Sequence, residues 1–199
     1  MNTNLLVAAV VAVAGSAFAQ YRFDPSTGAC VNAAGERGLN VGVRGPCGDF
    51  SNQNLEGERF AGDFRGARFD GATLKGASFR SALLSKASFV GADLTGAVLT
   101  GARLDGATLT QARLVKAHLE YAQFTGASLE GADLRNACLY HAVFSGADLR
   151  MAVFSKQKCM LEGARWENAR VLADTLPFDS NELATRRVTV LGQLAVLVR

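Results

Sequence analysis

A coiled, all-β solenoid is the fold class this sequence predicts, and three observations carry the prediction. Stepping by five from Phe64 to Phe154 meets Leu or Phe at all nineteen positions. Ala stands two residues before eighteen of the nineteen, and Gly stands two residues after ten of them. A period of five suits neither of the usual elements. On an α-helix each step of five turns about 140° past a full circle and scatters the apolar series over every side. Along one continuous strand an odd step alternates faces and exposes half the series.

A short strand followed by a corner removes the conflict. Ala points inward, the next residue outward, Leu or Phe inward, and the last two residues turn the chain. Gly suits the corner because it tolerates backbone angles closed to other residues. Coiling such units stacks each strand on its counterpart one turn away, in parallel register at roughly 4.8 Å.

Tandem Ala-x-(Leu/Phe)-x-Gly units, such as Ala92-Asp93-Leu94-Thr95-Gly96, resemble the pentapeptide-repeat family over residues 62–176. The resemblance implies four units per turn, hence a right-handed quadrilateral parallel β-helix with small N- and C-terminal caps. It implies no single activity.

The remaining elements follow in chain order. Residues 1–19 are predicted to be a secretory signal, with an apolar run over Leu5–Ala14 and the small-x-small pattern Ala17-Phe18-Ala19 before Gln20. Ten apolar residues are too few to cross a bilayer, which takes about 20. No second apolar span follows, so a secreted or periplasmic protein without a membrane span is expected after cleavage. Residues 20–51 lack the repeat and carry turn signals at Asp24-Pro25-Ser26-Thr27-Gly28 and Gly35-Glu36-Arg37-Gly38, predicting an N-terminal cap of hairpins. Cys30 and Cys47 fall inside that cap, and an oxidising compartment would pair them.

The solenoid is assigned to residues 52–176. Leu55 and Phe60 follow a slightly different register, which makes the first coil irregular. Near the other end Leu161, Trp166 and Val171 restore the series after a seven-residue step from Phe154, so two extra residues bulge around Ser155–Lys158. Residues 177–199 form a C-terminal cap. Asp179-Ser180-Asn181-Glu182 resembles a capped helix start, and Val188–Arg199 looks strand-like.

Composition narrows the function classes. Net charge is only +3, too small a surplus to argue for nucleic acid or an anionic membrane. Some pentapeptide-repeat proteins mimic DNA and bind type II topoisomerases through an acidic surface. Residues 62–154 here hold eight Asp and Glu against ten Lys and Arg, which does not make a polyanion. There is no phosphate loop, paired-cysteine metal pattern or serine-nucleophile elbow, and no cofactor is predicted. No nucleophile, base and oxyanion donor assemble from the columns, so an enzyme is not predicted.

One surface cluster stands out. On a square coil residues twenty apart stack, which places His118 beneath Cys138, Tyr121 beneath His141 and Glu120 beneath Tyr140. Across the two-residue slip Met160 falls above Cys138. His118, Cys138 and Met160 together offer imidazole, thiolate and thioether, a set that suits copper. The plainer expectation is an outward ladder of mixed side chains. Cys138 should point outward and Cys159 inward, which disfavours a disulfide between them. The sequence therefore points to an exported, non-enzymatic structural or interaction protein, a binding platform of the cell envelope or exterior for another protein or an envelope component. A small-ligand or metal-binding module on the His118/Cys138/His141 face is the alternative.

Overall fold

A computed structural model describes residues 21–24, 29–32, 48–155, 162–171 and 189–190. Among these residues there is no helix, and a long parallel ladder dominates. Its commonest step is twenty residues, as in Asp93↔Arg113 and Arg113↔Asp133. Four five-residue units therefore complete each coil.

Backbone hydrogen bonding explains why the unit closes. In the unit around Leu94, the Leu94 N–H donates to Arg113 O at 2.7 Å in the next coil, and the Asp93 N–H donates to Ala72 O at 2.9 Å in the previous one. Gly96 N–H also reaches the next coil, at Val115 O, 2.9 Å. The turn itself is fixed by Ala97 N–H donating to Leu94 O at 3.0 Å. Its third residue, Gly96, has φ +67°, which glycine adopts without steric cost. That leaves one N–H per unit pointing to solvent. An Asp two residues upstream accepts several of these: Thr95 N–H donates to Asp93, Arg135 N–H to Asp133 and Arg150 N–H to Asp148, at 3.1, 3.2 and 3.2 Å. The recurring Ala-Asp-Leu triplet is thus a local turn device in which a short carboxylate replaces water at the exposed amide.

The inward pair forms one continuous core. Ala67 to Ala152 and the Leu/Phe series from Phe64 to Leu149 are buried, Phe154 packs against them partly buried, and no polar or charged residue is buried among the described residues. Each fully buried Leu or Phe contributes about 1.5–3 kcal/mol. Aromatic rings concentrate toward the two ends. Phe50, Phe69 and Phe89 stack at 4.8 Å intervals, while Phe124, Phe144 and Trp166 stack at 5.0 and 4.6 Å. Ring spacing matches the coil rise, so each ring covers the one below.

Both predicted irregularities are present. In the first coil the ladder steps by nineteen, through Asp49↔Arg68, Asn54↔Thr73 and Arg59↔Ser78. Phe50, Leu55 and Phe60 nevertheless face inward. After Phe154 the step is twenty-two, through Val143↔Arg165 and Asp148↔Arg170. Trp166 and Val171 are buried as the shifted series requires. Leu161 and Cys159 lie outside the described residues, as does the proposed bulge beyond Ser155. Strand Arg170–Val171 pairs in parallel with Thr189–Val190, so the C-terminal segment contributes a strand to the last coil. Near the N-terminus, β1 (Tyr21–Asp24) and β2 (Ala29–Asn32) pair antiparallel, with Phe23 opposite Cys30. Cys47 lies outside the described residues, and so does the helix start predicted at Asp179.

The facing of the repeat gives a paired prediction. Ala107 is 1% exposed inside a core of crystal-like density, so Ala107→Leu should overpack its coil and cost about 1–3 kcal/mol. Thr108→Leu, one position along on the outer surface, should stay within about 0.5 kcal/mol. Chemical denaturation midpoints of the two variants check this; a neutral Ala107→Leu with a destabilised Thr108→Leu would reverse the facing.

Candidate functional site

Seven residues were singled out from the sequence: His118, Glu120, Tyr121, Cys138, Tyr140, His141 and Met160. Met160 lies outside the described residues. The other six lie together on one side of the coil and its following corner. His118 and Cys138 are ladder partners. Tyr121 N–H donates to Tyr140 O at 2.9 Å, which sets Tyr121 and Tyr140 in adjacent coils.

Two groups of contacts result. The first centres on Glu120. Thr100 Oγ1 donates to Glu120 Oε2 at 2.9 Å, and His118 Nδ1 lies 3.3 Å from Glu120 Oε1. Burial alone would raise the Glu120 pKa. Its backbone amide, Thr100, His118 and the Cys138 thiol outweigh burial and hold the carboxyl below the usual range. Glu120 thus binds the Cys138 thiol and the His118 ring to one another, which makes this part of the cluster a satisfied polar network.

The second group is aromatic. Tyr121 stacks on His141 with centroids 5.3 Å apart and planes 4° from parallel. Tyr140 stands edge-on to both, at 5.6 Å from Tyr121 and 4.3 Å from His141. The Tyr121 side chain beside it, then burial and the Glu162 carboxylate, push the Tyr140 phenol up. Tyr121 and His141 occupy the corner position with φ of 60° and 54°, a region costly for large side chains. The His141 ring lies over Gly163, where an added Cβ would come within 2.5 Å of ring atoms Cε1 and Nδ1.

Thr100, Glu162 and Gly163 were missed from the sequence although the column rule reaches them. Thr100 is twenty residues before Glu120, and Glu162 and Gly163 are twenty-two beyond Tyr140 and His141. Among the described residues no group of three His, Cys, Asp or Glu is arranged to hold a metal ion. Cys138 is half-buried and outward-facing, and Cys159 lies outside the described residues.

Elsewhere the surface is laced with opposite charges two residues apart. Asp63–Arg65, Asp133–Arg135 and Asp148–Arg150 pair at 2.6, 2.7 and 2.8 Å across an inward Phe or Leu. Column neighbours alternate as well, as in Asp93, Arg113 and Asp133. Exposed large apolar side chains among the described residues are confined to Val90, Tyr121, Met151 and Val153. No described helix is long and apolar enough to cross a membrane.

The fold these features define is a parallel β-solenoid of five-residue units. Residues 63–101, 92–131, 102–140 and 127–156 match the family model for pentapeptide repeats, with eight copies, and this stretch of the chain is a run of pentapeptide repeats. Solved structures similar to this chain include a pentapeptide repeat protein, Rfr23, from the cyanobacterium Cyanothece 51142. It is 25% identical over 57% of this chain and 83% of that one, with a TM-score of 0.42. A pentapeptide repeat protein from the Arabidopsis thaliana thylakoid lumen is 24% identical over 68% of this chain and 74% of that one, with a TM-score of 0.30. The plasmid-mediated fluoroquinolone resistance protein QnrB1 is 26% identical over 60% of this chain and 66% of that one, with a TM-score of 0.34. No curated protein matches the sequence.

Two measurements test the site's geometry. Gly96 has φ +67° and open space around a Cβ, so Gly96→Ala should cost about 1–2 kcal/mol from backbone conformation alone. Gly163→Ala should cost more, by the Tyr121–His141 stacking it displaces, roughly 0.5–1.5 kcal/mol. The excess should vanish when His141 is also Gly; an excess that survives would show the ring is not seated on Gly163. The second measurement is pH. The carboxyls of Glu120, Asp133 and Asp148 are held below their ordinary values of 4.5, 3.8 and 3.8. The folded state therefore binds fewer protons than the unfolded chain, and this stability is complete above those values and lost as pH falls through and below them. Thermal midpoints should be flat near neutrality and decline from about pH 4.5 downward; a midpoint that rises on acidification would contradict the sign.

Proposed function

We propose that this chain is an exported, non-enzymatic binding platform of the cell envelope or exterior, wound right-handed and closed by caps over both ends. The pentapeptide repeats support a structural or interaction role, since a stacked solenoid offers extended, rigid sides. The observation that carries the platform role is the Tyr121–Tyr140–His141 corner. Most of the charged side is self-neutralised by local ion pairs, whereas Tyr121 is 51% exposed on a rigid ladder. Exposed, pre-ordered aromatic rings are what protein interfaces concentrate. The leader over residues 1–19 and the two cysteines of the N-terminal cap support export.

Expression of the full chain in a secreting host tests both halves. Export predicts a mature N-terminus at Gln20 and a Cys30–Cys47 cross-link in non-reducing peptide maps. An uncleaved, reduced protein retained inside the cell would sink export. Immobilised mature protein should then retain a defined protein from envelope fractions at stoichiometric levels; recovery of none, across detergent and salt conditions, would refute the platform.

A further inference from the structure

Two adjacent columns build an acidic aromatic corner. One runs Glu120, Tyr140, Glu162, and the other runs Tyr121, His141, Gly163. Their order follows from Tyr121 N–H donating to Tyr140 O and His141 N–H donating to Glu162 O, each at 2.9 Å. Tyr140 is thereby flanked, one coil below and one above, by carboxylates. No Lys or Arg pairs with Glu120 or Glu162 among the described residues, whereas the nearby Arg103 and Arg165 are taken by Asp105 and Glu167 at 3.5 and 3.3 Å. The corner therefore holds two carboxylates without a Lys or Arg partner, on a surface where most other described carboxylates have one.

The rings add a second preference of the same sign. Tyrosine faces carry negative potential and attract cations. Tyr121 uses one face against His141. In its own column the coil below holds Gly101, where an added Cβ would have only Ser81 Oγ nearby, at 3.5 Å. No side chain of that column fills the space under the ring.

We propose that this corner docks an exposed arginine side chain of a protein partner, its guanidinium lying on the Tyr121 and Tyr140 rings and pairing with the Glu120 and Glu162 carboxylates. Arginine fits better than lysine because a planar, weakly hydrated guanidinium stacks on rings and meets a carboxylate with two parallel hydrogen bonds. The site rests on the platform role and gives it a position and a chemistry. The local cost of building it is visible, because two large side chains occupy positive-φ positions where Gly is the commonest residue.

The test is calorimetric titration of the full mature chain with a capped hexa-arginine peptide. Saturable binding should weaken at least tenfold in Glu120→Gln/Glu162→Gln and in Tyr121→Gly/His141→Gly. The glycine variant relieves backbone strain, so its loss of binding would not reflect unfolding. Glu130→Gln, on another side of the coil, should bind as the parent does. Equal binding by all variants, or no binding by the parent, would overturn the proposal. So would a neutral hexasaccharide whose binding needs the rings while hexa-arginine binding does not. Envelope capture separates this proposal from the platform role. A parent that captures no partner refutes the platform, and a partner captured equally by parent and variants refutes only the arginine corner.

Discussion

Every fifth residue of this solenoid turns the chain through a positive φ, and the rest of the architecture depends on that corner. The turn bond from Ala97 to Leu94 and the φ of +67° at Gly96 fold the strand back after three residues. A longer strand would carry the next Leu to the outside. The corner therefore fixes which residues are buried, and the ladder fixes how the corners stack. Glycine is the least costly occupant, but ten other residues also hold the conformation among the described residues. A non-glycine corner costs about 1–3 kcal/mol when isolated. The cooperative ladder on either side holds the backbone there, since each unit has four amide bonds that would be lost with it.

Surface chemistry follows from the same geometry. Residues on either side of an inward Leu or Phe both point outward, which brings Asp133 and Arg135 within 2.7 Å. Such solvent-exposed pairs contribute little to stability. Their larger effect is on the field of the molecule, because positive and negative groups alternate along and across the columns. A surface built this way has little long-range charge with which to steer a polyanion. Recognition then falls to places where the alternation stops.

Much of the fold was legible because the signal is repetitive. The Leu/Phe series from Phe64 to Phe154 fixed the inward face, and the disturbed spacing around Phe60 and after Phe154 located both register shifts. The number of sides was not legible from periodicity, since a period of five serves a coil with any number of corners. It came from the resemblance, and the Asp93↔Arg113 step of twenty agrees with it. Once the coil length is known, columns can be read directly, which is why Tyr121 and His141 were brought together. Thr100 and Gly163 escaped notice for a physical reason. Their roles lie in a hydroxyl contact and in an absent side chain, and neither has a composition signature. The Asp93–Thr95 turn bond was hidden similarly, as an Asp that looked like ordinary surface charge.

Stability alone gives no account of the aromatic corner. Placing Tyr121 and His141 in the left-handed region costs about 1–3 kcal/mol apiece. Their stacking, with Tyr140 edge-on, returns roughly 0.5–1.5 kcal/mol for each ring pair. With three ring pairs set against two strained corners the two terms are of similar size, while Gly at both positions would avoid the cost and lose nothing from the core, which lies on the other side of the backbone. Gly163 sharpens the point. Its missing Cβ leaves room for the imidazole, so three residues from three successive coils are matched to one another without any of them contributing to the buried interior. A surface arrangement of that kind is explained by what it presents outward: rings held rigidly on a ladder, with carboxylates in the coils above and below.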